Sequence, residues 1–341
     1  MKKILAILSD ETKYAERLSD YCNKKKSLMF TAVPFESIEA CAEFNGKHDI
    51  EVLLADSKYL ENDAFGRQLS DIRAARVIGL DSGISFERAF ADAEQSSYLH
   101  VGKYQPADML IREVMAGCDG MDVFTANTNI GRPVRVIGVY SPVSRCGKTS
   151  FALTLSRMLS KKRKTLYLSL EEFSCLGILS GERYEMTLSD AIYHMRQGTL
   201  TAERLYSMIH TLCGVEYLPP MRCAEDRNAV SGEDYVRLIN EIIRNSLYEA
   251  IVIDMERFSD EASEIAEICN VIYMPVLGDV MNKMRTESFI QYLINSDRTN
   301  IADKIVKIST PKPDITAQGT AYLDALLYGS MGDLIRELGE V

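Results

Sequence analysis

"VRVIGVYSPVSRCGKTSFALTL", residues 134–155, decides how the larger half of this chain is read. It opens on the apolar run Val134 to Tyr140, passes through a loop containing Pro142, and closes on a segment in which Phe151, Leu155, Met158 and Leu159 recur at helical spacing. The loop ends in Gly147-Lys148-Thr149, the closing part of the G-x-x-x-x-G-K-[ST] phosphate-loop pattern, but Pro142 stands where that pattern opens with glycine. A loop of this kind turns backbone N–H groups towards an anion at a helix start, where the helix dipole favours negative charge. Gly147 allows close backbone approach, Lys148 reaches phosphate, and Thr149 offers a hydroxyl to Mg2+. Ser144, Arg145, Cys146, Gly147, Lys148, Thr149 and Ser150 are therefore the candidate nucleotide-binding residues. The competing reading is a strand–turn–helix that leaves an ordinary Lys-Thr pair exposed.

A phosphate loop requires an acid at the end of a second strand to hold Mg2+ directly or through water. "YEAIVIDM" supplies Asp254 after four apolar residues, so Thr149 and Asp254 are the candidate metal ligands. A strand-end aspartate that caps a loop is the bland alternative.

Outward from this stretch, apolar runs alternate with helix-like segments along the whole chain. In the first part they are "ILAIL", "LMFTAV", "EVLLA", "RVIGL" and "YLHV"; in the second, "VRVIGVY", "TLYLSL", "VEYLP", "AIVIDM", "VIYMPV" and "KIVKIS". That alternation predicts α/β architecture with parallel sheets flanked by helices. "DYVRLINEIIRNSL" places Val236, Ile239, Ile242 and Ile243 on one expected helix face. "GCDGMDVFTANTNIGRP", residues 117–133, lacks periodicity and has linker composition, giving domains at 1–116 and 134–341. The 341 residues suffice for two separate cores.

Composition excludes several classes. A formal net charge of -10 argues against a general nucleic-acid footprint. No apolar run approaches the ~18 residues of a membrane span, so direct membrane insertion is not expected. Asp10 and Glu11 interrupt the short apolar start, which reads as a first strand and not a signal peptide. The eight cysteines show no C-x-x-C spacing and read as reduced thiols, mostly buried, implying a cytoplasmic protein. His48, His100, His194 and His210 have no ligand spacing. "KKRK", 161–164, sits where cations suit a helix C-terminus, and the acidic "YLDALLYGSMGDLIRELGEV" does not fit an anionic-lipid helix.

The loop, "TLYLSLEEF", "GVEYLPPMRCAEDRNAVSGEDYVRLINEII", "YEAIVIDM" and "CNVIYMPVLGDVMNKMRT" follow one another in an order that resembles the MinD/ParA-type ATPases over roughly residues 134–309. With a receiver-like domain in front, the chain is similar to the pilus-assembly branch of that superfamily, the TadZ and CpaE proteins of tight-adherence (Flp-type) systems. The resemblance implies a P-loop parallel sheet with helices on both faces, ATP and Mg2+ as cofactors, a homodimer, and other pilus-assembly or secretion proteins as partners. It also implies a cytoplasmic location, with polar or membrane association arising through those partners.

The departures bear on activity. The family loop K-G-G-x-G-K-T uses its first lysine across a dimer; Val143 stands there, with Ser144 and Arg145 at the glycines. Arg145 is either a substitute charge, since guanidinium forks well onto phosphate, or a solvated loop residue. The family D-x-D falls on Ser169 and Glu171, which makes Glu171 and Asp254 the candidate catalytic residues. A carboxylate displaced by about 1 Å costs on the order of 100-fold in rate, so ATP binding with slow or partner-dependent hydrolysis is expected. "ISTPKPD" offers Pro311 and Lys312 as base-side candidates, an ordinary surface turn being the alternative.

The first part resembles a response-regulator receiver, a flavodoxin-like parallel sheet. Asp10 and Glu11, Asp56, Asp81 or Ser82, and Lys103 fall at the matching strand ends, with one leading acid lost at Ser9. Asp56 is the candidate phosphoacceptor, and the weakened acid set points to a docking fold that is not phosphorylated. The expected function is an ATP-binding localisation or scaffold factor for tight-adherence pili. The alternatives are a chromosome- or plasmid-partitioning ParA-type ATPase and a phosphorelay regulator acting through Asp56.

Overall fold

The computed structural model describes residues 3–25, 28, 30–61, 72–82, 98–118, 134–311 and 317–340. The chain divides into two compact units, one of residues 1–128 with 201–207, the other of 129–200 with 208–341. The linker expected over 117–133 lies, from residue 119 onward, outside the described residues; Gly117 ends the helix Ala107–Gly117.

The first unit holds β1 (Lys3–Leu8), β2 (Phe30–Phe35), β3 (Ile50–Asp56), β4 (Ala74–Asp81) and β5 (Leu99–Gly102), all parallel, in the order β2-β1-β3-β4-β5. This is the flavodoxin-like doubly wound order, whose crevice opens at the carboxyl ends of β1 and β3. The central strands are buried on both faces, Leu5–Leu8 and Val52–Asp56 without interruption, which is why they read as unbroken apolar runs. β2 carries Pro34, tolerated because this strand forms a sheet edge.

The second unit holds β6 (Arg135–Val139), β7 (Thr165–Ser169), β8 (His210–Leu212), β9 (Val215–Leu218), β10 (Ala250–Asp254), β11 (Val271–Val276) and β12 (Ile305–Ser309). The order is β12-β11-β6-β10-β7-β9-β8, parallel except for the antiparallel pair β8–β9. β6 thus sits between β10 and β11, and its loop leaves the sheet centre beside the ends of β10 and β7. β8 was not expected from the sequence. Its hairpin turns through Cys213 (φ 48°) and Gly214 (φ 82°), and the first of these left-handed positions is occupied by a residue that gives no turn signal.

The helix Lys148–Ser160 is buried on nearly every side, from Phe151 through Ser156 and again at Met158 and Leu159. One face lies on the sheet; the C-terminal helices Thr320–Tyr328 and Ser330–Glu337 cover the other with Leu323, Leu326, Leu327, Met331 and Ile335. Those leucines are spent in the core, which accounts for their helical spacing on an acidic segment; each such burial stabilises by ~1.5–3 kcal/mol. In the helix Gly232–Asn245 the inward face is Tyr235, Leu238, Ile239 and Ile242. The expected face is therefore rotated, because Val236 and Ile243 are only half-buried. All eight cysteines are free, and Cys22, Cys41, Cys118, Cys146 and Cys269 are buried.

Candidate functional site

The loop after β6 is built by local backbone requirements. Gly147 caps the helix Lys148–Ser160 at φ 81°, a left-handed conformation that glycine adopts without penalty, and its carbonyl accepts the Phe151 N–H at 2.9 Å. Arg145 adopts φ 56°, so the position at which the related loops carry glycine still demands a left-handed residue. An arginine there costs ~1–2 kcal/mol. Val143 is 2% exposed, so this position of the loop is part of the interior. The loop is tied down by Val143 N–H donating to Ser141 Oγ (3.1 Å), Ser141 Oγ–H donating to the Pro275 carbonyl (2.6 Å), and Thr310 donating to the Cys146 carbonyl. Ser144 and Arg145 are exposed, while Cys146 is buried with its Sγ 3.0 Å from the Val143 carbonyl.

Strand order brings the rest of the site to this loop. Thr149 Oγ1 donates to Glu171 Oε1 at 2.7 Å from just beyond β7. Lys148 Nζ donates to the carbonyls of Glu256 (2.7 Å) and Met255 (3.2 Å), just beyond β10. Asp254 ends β10 fully buried; Tyr167 OH donates to its Oδ2 at 3.1 Å, and its Oδ1 has no protein partner. Burial, then the neighbouring Glu171 charge, pushes the Asp254 carboxyl up to about 7, against the opposing pull of Thr149, Lys148 and Tyr167. Burial likewise raises Glu171, although its bond from Thr149 and the Lys148 charge work the other way.

The Thr149 hydroxyl and the Glu171 and Asp254 carboxylates are hard oxygen donors, and the orphaned buried oxygen on Asp254 fits a hard cation such as Mg2+. Glu171 thus stands on the threonine hydroxyl, and Ser169 is buried with its Oγ–H donating to Ser174 Oγ at 3.3 Å. Ser150 Oγ lies 2.7 Å from Tyr322 OH of a C-terminal helix. Pro311 directly follows Thr310, and Lys312 lies outside the described residues. Tyr167, Thr310 and Glu256 were missed in the sequence; only Tyr167 has a signal there, a polar-tipped residue inside a buried strand.

In the first unit, a separate group of charges gathers at the carboxyl ends of β1 and β3 and just after β5. Lys103, 3% exposed, lies 2.8 Å from Asp56 Oδ1 and donates to Glu11 Oε1 at 2.9 Å and Ser9 Oγ at 3.0 Å. Ser9 Oγ–H donates to Asp56 Oδ2 at 2.8 Å. Burial raises the Asp56 carboxyl, with Lys103 and Ser9 acting against it. Asp10 pairs with Lys58, Asp81 with His100 at 3.3 Å, and Ser82 is exposed.

No family model matches the sequence, and no curated protein matches it. Solved structures do. A ParA family ATPase from Chlorobium tepidum TLS superposes with a TM-score of 0.50 at 17% identity, covering 60% of this chain and 97% of that one. The septum site-determining protein MinD of Pyrococcus horikoshii OT3, complexed with Mg-ADP, gives 0.47 at 16% identity, covering 61% and 96%. The likeness to the ParA-family structure is one of fold: a P-loop ATPase architecture of the MinD/ParA kind.

Proposed function

We propose that the second domain binds Mg-ATP and uses it to set a dimeric or partner-binding state, as a localisation or scaffold factor in tight-adherence pilus assembly. The observation that carries the nucleotide part is the convergence of Lys148, Thr149, Glu171 and a buried, half-orphaned Asp254 at the start of one helix. The fold shared with the ParA family ATPase supports ATP as the nucleotide, and the oxygen donors of Thr149 and Asp254 support Mg2+ as its metal. The pilus assignment is supported by the order of the quoted motifs behind a doubly wound front domain.

Lys148 would exchange its two carbonyl acceptors for phosphate oxygens, and the amides that open the helix Lys148–Ser160 would supply further donors to the same anion. Thr149 and Asp254 would hold Mg2+, which supplies charge neutralisation for the terminal phosphates. Glu171 accepts from Thr149 and is one carbon longer than the aspartate of related loops, which favours slow hydrolysis. Binding one state preferentially shifts the population towards it.

The front domain is proposed as a receiver-like docking fold. Asp56 Oδ2 accepts from Ser9, while Oδ1 forms only an ion pair with Lys103, and the leading acid replaced by Ser9 favours a structural role over phosphorylation. A partitioning ATPase is the second reading, favoured by the ParA-family fold. The net charge of -10 and the buried Val143 weigh against it.

Solution mass by light scattering, with and without Mg-ATP, for wild type and Lys148→Ala tests the switch. Dimerisation of wild type with Mg-ATP alone, lost in the variant, is expected. A mass unchanged by nucleotide in both proteins would sink it.

A further inference from the structure

Tyr167 stands at the middle of β7 with its side chain fully buried. The ring belongs to the core of the second sheet, together with Phe151, Leu176, Val252 and Tyr217. Phenylalanine would serve that packing as well. The hydroxyl is the part that needs a partner, because a buried O–H left unpaired is costly. Strand register supplies one. β7 and β10 run parallel, with Tyr167 opposite Val252 and Ser169 opposite Asp254. Residues two apart share a face of the sheet, so Tyr167 and Asp254 are diagonal neighbours on one face. The phenol is long enough to cross that diagonal, and its O–H donates to Asp254 Oδ2 at 3.1 Å. Asp254 Oδ1, also buried, has no hydrogen-bond partner among the described residues.

The two oxygens of one buried carboxylate are therefore unlike: one is held from behind, the other is open to a cation. We propose that Tyr167 is a positioning residue that makes Asp254 a one-oxygen metal ligand and so sets the site for Mg2+ against Ca2+. The identity of the metal site rests on the nucleotide reading above. Mg2+ demands near-octahedral geometry at ~2.0–2.1 Å, whereas Ca2+ sits at ~2.3–2.6 Å and accepts both oxygens of a carboxylate. A hydrogen bond on Oδ2 competes with two-oxygen coordination and fixes the rotation of the carboxylate. It leaves Oδ1 as a single donor in a set direction, which suits the smaller and stricter ion. A neutral donor also leaves the negative charge of Asp254 in place for the metal, which a lysine at the same position would cancel.

The test compares full-length wild type with Tyr167→Phe, and uses Asp254→Asn to identify the site. Mn2+ binding is followed by electron paramagnetic resonance with and without ADP, and Mg2+ and Ca2+ affinities are read by displacement of Mn2+. Tyr167→Phe deletes one oxygen from a packed ring and keeps its shape. It is expected to weaken Mg2+ about tenfold, the lower end for losing a group that orients a metal ligand. Ca2+ is expected to weaken by no more than about twofold, since the freed carboxylate can offer it both oxygens. The preference for Mg2+ over Ca2+ thus falls about fivefold or more. A loosened core would weaken both ions alike, and that result, like an unchanged preference, overturns the role of Tyr167. If wild type binds Mg-ADP and the preference is the same in both proteins, the nucleotide reading stands and the role of Tyr167 falls. If wild type binds Mn2+ through Asp254 but does not bind ADP, the nucleotide reading falls and the comparison is decided on the metal alone. Wild type that binds no metal in either condition overturns both.

Discussion

The Thr149 hydroxyl donates a hydrogen bond to Glu171 across 2.7 Å, and Glu171, after burial itself, raises the carboxyl of Asp254. A residue at the start of the helix Lys148–Ser160 and two from the ends of β7 and β10 therefore form one electrostatic unit. Replacing Glu171 by Gln removes the second-largest cause of the Asp254 shift. The Asp254 carboxyl, followed by 13C NMR, is expected to titrate below its present midpoint of about 7. A midpoint that stays put would mean burial alone sets it.

The same shift makes nucleotide-free stability depend on pH. The Asp254 pKa is raised in the folded state, from 3.8 to about 7, so its contribution is fully present below the unfolded value and is lost as pH rises through the folded one. Each pH unit between the two midpoints is worth about 1.4 kcal/mol. Asp254→Asn is expected to stabilise the ligand-free protein at pH 8 by up to ~4 kcal/mol, and to make little difference near pH 4. Urea unfolding at the two pH values checks this. A variant less stable than wild type at pH 8 contradicts it.

Arg145 holds a left-handed backbone without being glycine. Arg145→Gly is expected to raise stability by ~1 kcal/mol, since it removes that strain. Its nucleotide affinity then separates the two roles of the side chain. Loss of affinity together with a gain in melting temperature identifies a phosphate contact, whereas unchanged affinity identifies a solvated loop residue.

In the first domain, Lys103 and Asp56 are 3% and 5% exposed and lie 2.8 Å apart. Removing one partner leaves a buried charge unpaired, so Lys103→Met is expected to cost ~3–5 kcal/mol in chemical denaturation. The double variant Lys103→Met, Asp56→Leu should recover much of that loss. No recovery in the double variant would show that Lys103 stabilises through packing on Tyr14, whose ring centroid is 5.0 Å from its Nζ, more than through charge.

Much of the architecture is legible along the chain because it is local. Apolar runs bounded by turn residues mark β1 to β7 and β9 to β12, and Gly147-Lys148-Thr149 between β6 and a helical pattern marks the phosphate loop. Asp254 is legible for the same reason, as the first charge after a buried run. β8 is not, since three residues carry no period and its turn uses Cys213 at positive φ.

Sequence by itself therefore determined two parallel α/β sheets, the phosphate loop with its lysine and threonine, and the strand-end acids. Tertiary structure decided what those groups touch. Only the order β12-β11-β6-β10-β7-β9-β8 sets Thr149 against Glu171 and Lys148 against the carbonyls of Met255 and Glu256, positions far apart in the chain. The face of Gly232–Asn245 turned inward was likewise chosen by its neighbours, which take Tyr235 and Leu238 in place of Val236 and Ile243. The physical reason is range: periodicity and turn chemistry act over a few residues, whereas contacts between strand ends depend on which strands become neighbours, and that is settled by burying the whole sheet at once.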